Sequence, residues 1–352
     1  MNFTSDNVHG VDDAVLDALR VANTGTARAY GYDDWTVAAE RRLMDVFECE
    51  LQAYLVTTGT AANALALAAC CPAFGAVVCH HEAHIVVDEC GAPELFTGGA
   101  RLLGVRGAAA LVTPEAVTAM LATRGRGEHE HRLSVLSVSQ ATELGTVYTR
   151  EAIGALTDLA RTHAMRAHMD GARFANAVVR LGVSPAALTW QSGVDVLSFG
   201  ATKNGALGVE AVVFFNRDLA RDFLYRRKRT GHLVSKGRFL AAQMLAYLDG
   251  DRWLTNARHA NAMADRLADA VRALPGVRVP LPVDANAVFA IVPRTLHDHL
   301  QARGVRYLVW PGEGPGTDDA GDDELFIRLL TSFRTAQDDI DAFATAARSF
   351  GA

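Results

Sequence analysis

The chain contains one lysine that is well placed to act as a nucleophile. Lys203, Lys228 and Lys236 are its only lysines, and arginine supplies the rest of the 34 basic residues. Because a guanidinium stays protonated, arginine cannot replace lysine where an amine must attack a carbon. Lys228 and Lys236 lie in or beside a basic run that a solvated surface explains. Lys203 follows an apolar segment at 194–199, where a cleft would lower its pKa, although a structural loop lysine is the alternative.

A carboxylate and a guanidinium follow a second apolar segment earlier in the chain. Asp170, Gly171 and Arg173 leave this segment together. In open α/β sheets, ligands bind beyond the carboxyl ends of the strands. Asp170 could therefore bind a metal or pair with a ring nitrogen. For an isolated aspartate, capping the next helix is the commoner role.

The segment 57–63 joins a third apolar run to a helix rich in alanine and leucine. Gly59 permits a tight turn there. The hydroxyls of Thr58 and Thr60, together with the first helical N–H groups, could hold an anion. The segment has neither the lysine of a Walker loop nor the spacing GxGxxG, so neither nucleotide fingerprint applies. Many helices begin this way, so the feature gains meaning only beside the other two.

The three features together are the parts of a pyridoxal phosphate (PLP) site: a lysine for a Schiff base, an aspartate for the pyridinium nitrogen and a helix N-terminus for the phosphate. The segments 168–177 and 198–205 closely resemble low-specificity L-threonine aldolases, which are fold-type I PLP enzymes of the threonine aldolase and β-eliminating lyase family. The segments 5–6, 30–34, 58–63 and 326–331 match in the same order. The resemblance therefore spans nearly the whole chain.

The resemblance implies how the cofactor is held. Lys203 would carry PLP as a Schiff base, Asp170 would keep the pyridine nitrogen protonated, and His84 would stack on the ring. The phosphate would be bound by Gly59, Thr60, Thr202 and, from a neighbouring subunit, Arg227.

The resemblance also implies how the substrate is held, with one departure from the family. The α-carboxylate would be bound by Ser5, Arg173 and Arg328, a task that suits the planar guanidinium. Where the family has a histidine close to the substrate β-hydroxyl, this chain has Glu143. We expect Glu143 or a bound water to act as the base for the β-hydroxyl, with His84 as the competitor.

A cluster of histidines offers a different interpretation. His80, His81 and His84 lie near Asp88 and Cys90 and resemble a metal site. The glutamate of this segment is displaced by one position from the HExxH pattern, and no paired CxxC completes a structural zinc site. We expect no metal, and a non-catalytic metal-binding protein is the alternative from another functional class.

Composition excludes several partners. The formal net charge is −6, whereas proteins that bind nucleic-acid phosphates are normally basic. No apolar run approaches the roughly 20 residues that span a bilayer. The first residues lack the features of a signal peptide, and five crowded cysteines do not suggest a secreted disulfide framework. We therefore expect a cytoplasmic protein with neither a nucleic-acid partner nor a membrane partner.

Apolar runs that alternate with helical patterns predict the fold class. Such alternation is typical of an α/β protein with a mostly parallel sheet, here seven-stranded, between helices. The expected strands are 53–57, 76–79, 101–105, 132–139, 165–169, 194–199 and 211–215; three of the expected helices are 60–71, 149–163 and 172–180.

The pattern changes near residue 235. Helices at 234–248, 253–274 and 335–350 are expected there, with strands at 277–279, 287–292, 305–309 and 325–329 and a polar loop at 312–323. We predict a large PLP-binding domain at 1–235, which includes an N-terminal segment that contacts substrate, and a small α+β domain at 236–352.

The expected activity is retro-aldol cleavage of the Cα–Cβ bond. L-threonine, L-allo-threonine and other β-hydroxy-α-amino acids would yield glycine and an aldehyde. The resemblance implies a homotetramer, built as a dimer of dimers with shared active sites. Another PLP-dependent β-eliminating lyase or an aminotransferase would use the same lysine and aspartate, so these remain alternatives.

Overall fold

A computed structural model describes residues 1–311 and 318–350 and contains the expected central sheet. Its strands are β1 (Gln52–Val56), β2 (Gly75–His80), β3 (Arg101–Val105), β4 (Arg132–Ser139), β5 (Arg166–Gly171), β6 (Val196–Gly200) and β7 (Glu210–Phe214). They lie in the order β1-β7-β6-β5-β4-β2-β3. Strand β7 runs antiparallel to both of its neighbours, and the other pairs are parallel. The predicted α/β class and mostly parallel seven-stranded sheet are confirmed.

Helices cover both faces of this sheet because its strands are apolar on both sides. The helices of the chain are α1 (Asp13–Ala22), α2 (Asp34–Phe47), α3 (Gly59–Cys70), α4 (His84–Val87), α5 (Ala92–Thr97), α6 (Pro114–Ala122), α7 (Arg150–Thr162), α8 (Phe174–Leu181), α9 (Phe223–Arg229), α10 (Arg238–Leu248), α11 (Arg252–Arg272), α12 (Arg294–Ala302) and α13 (Gln337–Arg348). On one face Val196 and Val212 pack with residues of α3, and on the other Leu197 and Val213 pack with residues of α7 and α8. Among the described residues, no helix is both long and apolar enough to cross a membrane.

A second, antiparallel sheet follows in the C-terminal part. It contains β8 (Ala287–Pro293), β9 (Leu308–Val309) and β10 (Glu324–Leu330) in the order β8-β10-β9. Its apolar residues share a hydrophobic core with α11, α12 and α13, and Phe3 from the start of the chain lies in this core. The backbone N–H of Leu330 donates to the Phe3 carbonyl at 2.8 Å. The N-terminus is therefore packed against the C-terminal sheet. A domain division at residue 235 stays a prediction.

Three expected elements differ in the structure. The segment 277–279 is no strand, since only Arg278 forms an isolated bridge, to Ile291; Pro280 and Pro282 follow and lack the N–H that a ladder needs. Within 305–309 only Leu308–Val309 pairs with β10. The helix expected at 234–248 begins at Arg238. The expected loop at 312–323 lies partly outside the described residues.

The ends of β5 and β6 approach each other without room for side chains. A Cβ on Gly200 would lie 2.6 Å from the carbonyl oxygen of Ala172, and one on Gly171 would lie 2.8 Å from that of Ser198. Glycine is required at both positions because backbone atoms cannot move aside. This close approach brings the residues that follow the two strands to the same edge of the sheet.

Candidate active site

A cavity of about 260 Å³ lies at the carboxyl ends of β4, β5 and β6, beside the N-terminus of α3. Most of the predicted site residues line it: Gly59, Thr60, His84, Glu143, Asp170, Arg173, Thr202 and Lys203. Three predicted residues lie outside its lining: Ser5, Arg227 and Arg328. Sheet topology therefore brings together residues that are up to 144 positions apart in the chain, from Gly59 to Lys203.

Lys203 lies in a one-turn helix, Thr202–Asn204, directly after β6. Burial lowers the pKa of its amine, and the charge of Arg173 lowers it further, while nearby carboxylates oppose the shift. A lowered pKa increases the fraction of free amine, which is the form that attacks a carbonyl carbon.

Asp170 is the matching acid at the end of β5. Its Oδ1 accepts a hydrogen bond from the Ala172 N–H at 2.9 Å, and its Oδ2 accepts one from Asn63 Nδ2 at 2.7 Å. Burial alone would raise the pKa of Asp170, but the charge of His84 and the hydrogen bond from the Ala172 N–H hold it below its ordinary value. Asp170 is thus an ionised carboxylate in a buried site, which suits a partner for a protonated ring nitrogen. The helix-cap alternative is also partly met, because Asp170 binds the Ala172 N–H ahead of α8.

His84 belongs to a buried hydrogen-bond network. Its Nδ1 lies 2.8 Å from Glu89 Oε1, and the same Glu89 oxygen accepts from Asn63 Nδ2 at 2.8 Å. Asn63 Nδ2 thereby connects the carboxylates of Glu89 and Asp170. The hydrogen bond to Glu89 raises the pKa of His84 and orients its ring.

Glu143, the base expected for the β-hydroxyl, lies in the cavity wall. Its Oε1 accepts from the His84 backbone N–H at 2.9 Å and from Ser139 Oγ at 2.7 Å. Its Oε2 is buried and has no hydrogen-bond partner among the described residues. Burial raises the pKa of Glu143. The side chain can therefore accept a proton near neutral pH more readily than an ordinary glutamate.

The N-terminus of α3 fits a phosphate group. The Thr58 side chain caps the helix by accepting the Ala61 N–H at 3.1 Å. The N–H groups of Gly59 and Thr60, at the first two helical positions, remain available for an anion at the positive end of the helix dipole. Thr202 lines the same cavity. The cavity thus contains the groups that a PLP site requires: the Lys203 amine, the Asp170 carboxylate, the His84 imidazole and the N-terminus of α3.

Arg173 is held by a buried ion pair with Asp6. Its Nε and Nη2 both donate to the Asp6 carboxylate at 2.8 Å, and Asn286 donates to the same carboxylate at 2.9 Å. Burial would raise the pKa of Asp6, but the charge and hydrogen bonds of Arg173 lower it well below its usual range. The pair fixes the N-terminal segment against both sheets.

Ser5 and Arg328 lie beside this pair and outside the cavity lining. Ser5 Oγ accepts from the Asn7 N–H at 3.1 Å, and Asn7 itself lines the cavity. Arg328 donates to the Thr4 carbonyl at 3.3 Å and stacks over the Trp310 ring. Burial, with the charge of Arg173, lowers the pKa of Arg328 to about 10.

Arg227 is buried within its own chain. Its guanidinium donates to the Leu55 carbonyl at 3.3 Å and lies over the Tyr54 ring, 5.4 Å from the centroid. Its Nε is buried and has no hydrogen-bond partner among the described residues. It does not reach the cavity of the chain that carries it.

The other two histidines of the suggested metal cluster contact backbone carbonyls. His80 Nε2 lies 3.1 Å from the Gly107 oxygen, and His81 Nδ1 lies 3.3 Å from the Val105 oxygen. Within residues 1–311 and 318–350, no group of three or more His, Cys, Asp or Glu side chains could hold a metal ion. The arrangement does not favour the metal-binding alternative.

Sequence reasoning missed three site residues, Asn63, Glu89 and Glu210. Glu89 lies five residues after His84 and beyond the end of α4, so helical spacing gave no signal of their contact. Glu210 begins an otherwise apolar strand, and a lone acid in such a strand indicates a buried charge. Asn63 had no such signal, because its partners come from distant segments.

The buried Asp6–Arg173 pair predicts a large stability difference between two aspartate variants. Asp6→Ala leaves Arg173 buried without its partner, and we expect a loss of about 3–5 kcal/mol in the free energy of unfolding. Asp13 pairs with Arg334 at 3.0 Å at the exposed surface, so Asp13→Ala should cost at most about 1 kcal/mol. Urea unfolding of both variants measures this; equal losses would contradict the proposed importance of the buried pair.

Comparisons with known proteins place the chain in a family. The model of the beta-eliminating lyase family matches residues 2–295. A low specificity L-threonine aldolase of Pseudomonas aeruginosa is 44% identical over 312 residues, which cover 89% of this chain and 90% of the relative. One from a Pseudomonas species is 41% identical with the same coverage.

A solved structure has the same fold. The threonine aldolase of Leishmania major superimposes with a TM-score of 0.92 at 23% identity, over 100% of this chain and 99% of that one. The family match and the relatives show that the chain belongs to the beta-eliminating lyase family of PLP-dependent enzymes.

Proposed function

We propose that the chain cleaves L-threonine, L-allo-threonine and other β-hydroxy-α-amino acids to glycine and an aldehyde. The observation that carries this proposal is the single cavity in which Lys203, Asp170 and Glu143 meet. The names of the relatives at 44% and 41% identity support the same substrate class.

The residues of the cavity would hold PLP in a defined orientation. Lys203 would bind it covalently, Asp170 would contact its ring nitrogen, and His84 would lie against the ring. The phosphate would be bound by Gly59, Thr60 and Thr202. When bound, the cofactor supplies an electron sink for the bond broken at Cα.

Arg173 would bind the substrate carboxylate with the donors that Asp6 leaves free. Ser5 and Arg328 lie beside it and would complete this binding site. Fixing the carboxylate sets the direction of the Cα–Cβ bond, so that binding energy is used to orient the bond that breaks.

Glu143 would remove the proton from the β-hydroxyl. Its unpartnered Oε2 and raised pKa support this role, and the hydrogen bonds on Oε1 fix the side chain. A bound water and His84 are the competing bases.

We also propose a homotetramer, assembled as a dimer of dimers, in the cytoplasm. Arg227 would reach the phosphate of a neighbouring subunit, and its absence from its own cavity is consistent with such a role. The large domain at 1–235 would carry the cofactor, and the small domain at 236–352 would supply Arg328.

The products formed from L-threonine distinguish the proposed reaction from its alternatives. We expect glycine and acetaldehyde, whereas β-elimination gives ammonia and a keto acid, and transamination gives no aldehyde. Lys203→Arg should abolish cleavage and covalent retention of PLP after borohydride reduction, because a guanidinium cannot replace the amine. Lys236→Arg is the matched control and should behave as wild type. Ammonia release by the wild type would overturn the proposed reaction.

Glu143→Gln should lower the rate of L-threonine cleavage by about 100-fold or more, the range for a general base. PLP binding should not change. Because the pKa of Glu143 is raised, wild-type activity should fall as pH drops through that pKa, and the variant should lose this limb of its pH–rate profile. Glu82→Gln removes a nearby acid outside the cavity and serves as the control. An unchanged cleavage rate would assign the proton transfer to water or to His84.

Coexpression of two inactive variants tests the shared site. If Arg227 acts on a neighbouring subunit, a mixed oligomer of Lys203→Ala and Arg227→Ala chains contains one site with both residues intact. We expect such mixed oligomers, purified through two different tags, to regain activity. Inactive mixed oligomers, or an active monomer in gel filtration, would contradict the shared site.

A further inference from the structure

A buried glutamate on the neighbouring strand contacts the turn that carries Lys203. Glu210 begins β7 and lies opposite Gly200 in the antiparallel register of β6 and β7. Its side chain is buried, although it is charged and the other residues of the strand are apolar. No lysine or arginine forms an ion pair with it among the residues the structure describes. A buried acid in this setting is costly unless its hydrogen bonds compensate.

Glu210 binds the backbone of Ala201, two residues before Lys203. Its Oε2 accepts the Ala201 backbone N–H at 2.8 Å. The Thr202 hydroxyl accepts the backbone N–H of Val209, the residue before Glu210, at 3.3 Å. The carboxylate therefore fixes the backbone from which the lysine side chain extends.

The last residue of β6, Gly200, contributes no side-chain packing next to this turn. Gly200 admits no side chain, because a Cβ there would collide with the Ala172 backbone. On its far side the turn is held by Asn204, which donates to the Tyr247 hydroxyl at 2.9 Å and to the Trp253 carbonyl at 2.8 Å. Glu210 supplies the corresponding contacts on the near side.

The charge of Glu210 also acts on the cavity. Glu210 lines the cavity with Lys203 and opposes the lowering of the lysine pKa. Burial raises the pKa of Glu210 itself to about 7. Lys203 and Tyr247 are the titratable groups whose pKa values its charge affects.

We propose that Glu210 is a positioning residue for Lys203: the glutamate holds the Ala201 backbone ahead of the lysine and supports the positive charge at the lysine nitrogen. The inference rests on the proposed attachment of PLP to Lys203, and it does not depend on which substrate is cleaved. It concerns binding and protonation of the cofactor linkage, so it can be tested without an activity assay.

The test compares Glu210→Gln, Glu210→Ala and the control Glu151→Gln, which changes an exposed acid in the first turn of α7. The pH midpoint of the visible absorption of bound PLP and the Kd of the apo protein for PLP are measured for each. Removing a negative charge beside Lys203 disfavours the protonated linkage, so Glu210→Gln should lower the midpoint by roughly one pH unit. Its Kd should stay near that of the wild type, since the amide oxygen can still accept the Ala201 N–H.

Glu210→Ala loses both the charge and the acceptor. It should lower the midpoint similarly and raise the Kd for PLP by about tenfold, the effect of one lost hydrogen bond to a charged group. Rescue of the Kd by glutamine separates positioning from loss of charge.

If Glu210→Ala fails to fold, Glu210→Gln alone decides. A midpoint unchanged in Glu210→Gln overturns the inference, as does PLP attached elsewhere than Lys203. A wild type that binds PLP on Lys203 but does not cleave threonine overturns only the proposed function.

Discussion

The buried ion pair between Asp6 and Arg173 is the interaction on which the arrangement of the site depends. It joins three parts of the chain, because Arg173 follows β5, Asp6 belongs to the N-terminal segment, and Asn286 at the start of β8 donates to the same carboxylate. Ion pairs removed from water are stable only when good geometry and further hydrogen bonds, such as the one from Asn286, offset the cost of desolvation. A single contact thus places the N-terminal segment, the central sheet and the C-terminal sheet around one cavity.

The buried acids of the cavity differ in the direction of their pKa shifts because they differ in partners. Asp170 keeps a low pKa, since the charge of His84 and the hydrogen bond from the Ala172 N–H stabilise its negative charge. Glu143 has a raised pKa, because burial outweighs its contacts with Ser139 and the His84 backbone. Their surroundings therefore suit the two acids to different tasks. Asp170 is suited to keeping a proton on the cofactor ring, and Glu143 is suited to taking a proton from the substrate.

Much of the site could be predicted because its residues lie at strand ends, where a local pattern is visible. Asp170 and Lys203 each follow an apolar run, and a parallel sheet brings such ends together. Glu210 could not be placed this way, since its contact with the Ala201 N–H depends on β7 returning antiparallel beside β6. The prediction of a strand at 277–279 was wrong because the prolines that follow this apolar segment lack the N–H groups that a strand pairing needs.

The position of Phe3 has a consequence for how the molecule is made. Phe3 packs in the C-terminal core and accepts a hydrogen bond from Leu330, near the other end of the chain. During synthesis the first residues leave the ribosome long before their partners exist. Closing so long a loop carries an entropic cost, and contacts of this range slow folding. The hydrogen bond between Phe3 and Leu330, and the packing of Phe3 in the C-terminal core, can therefore form only after the last strand has been translated.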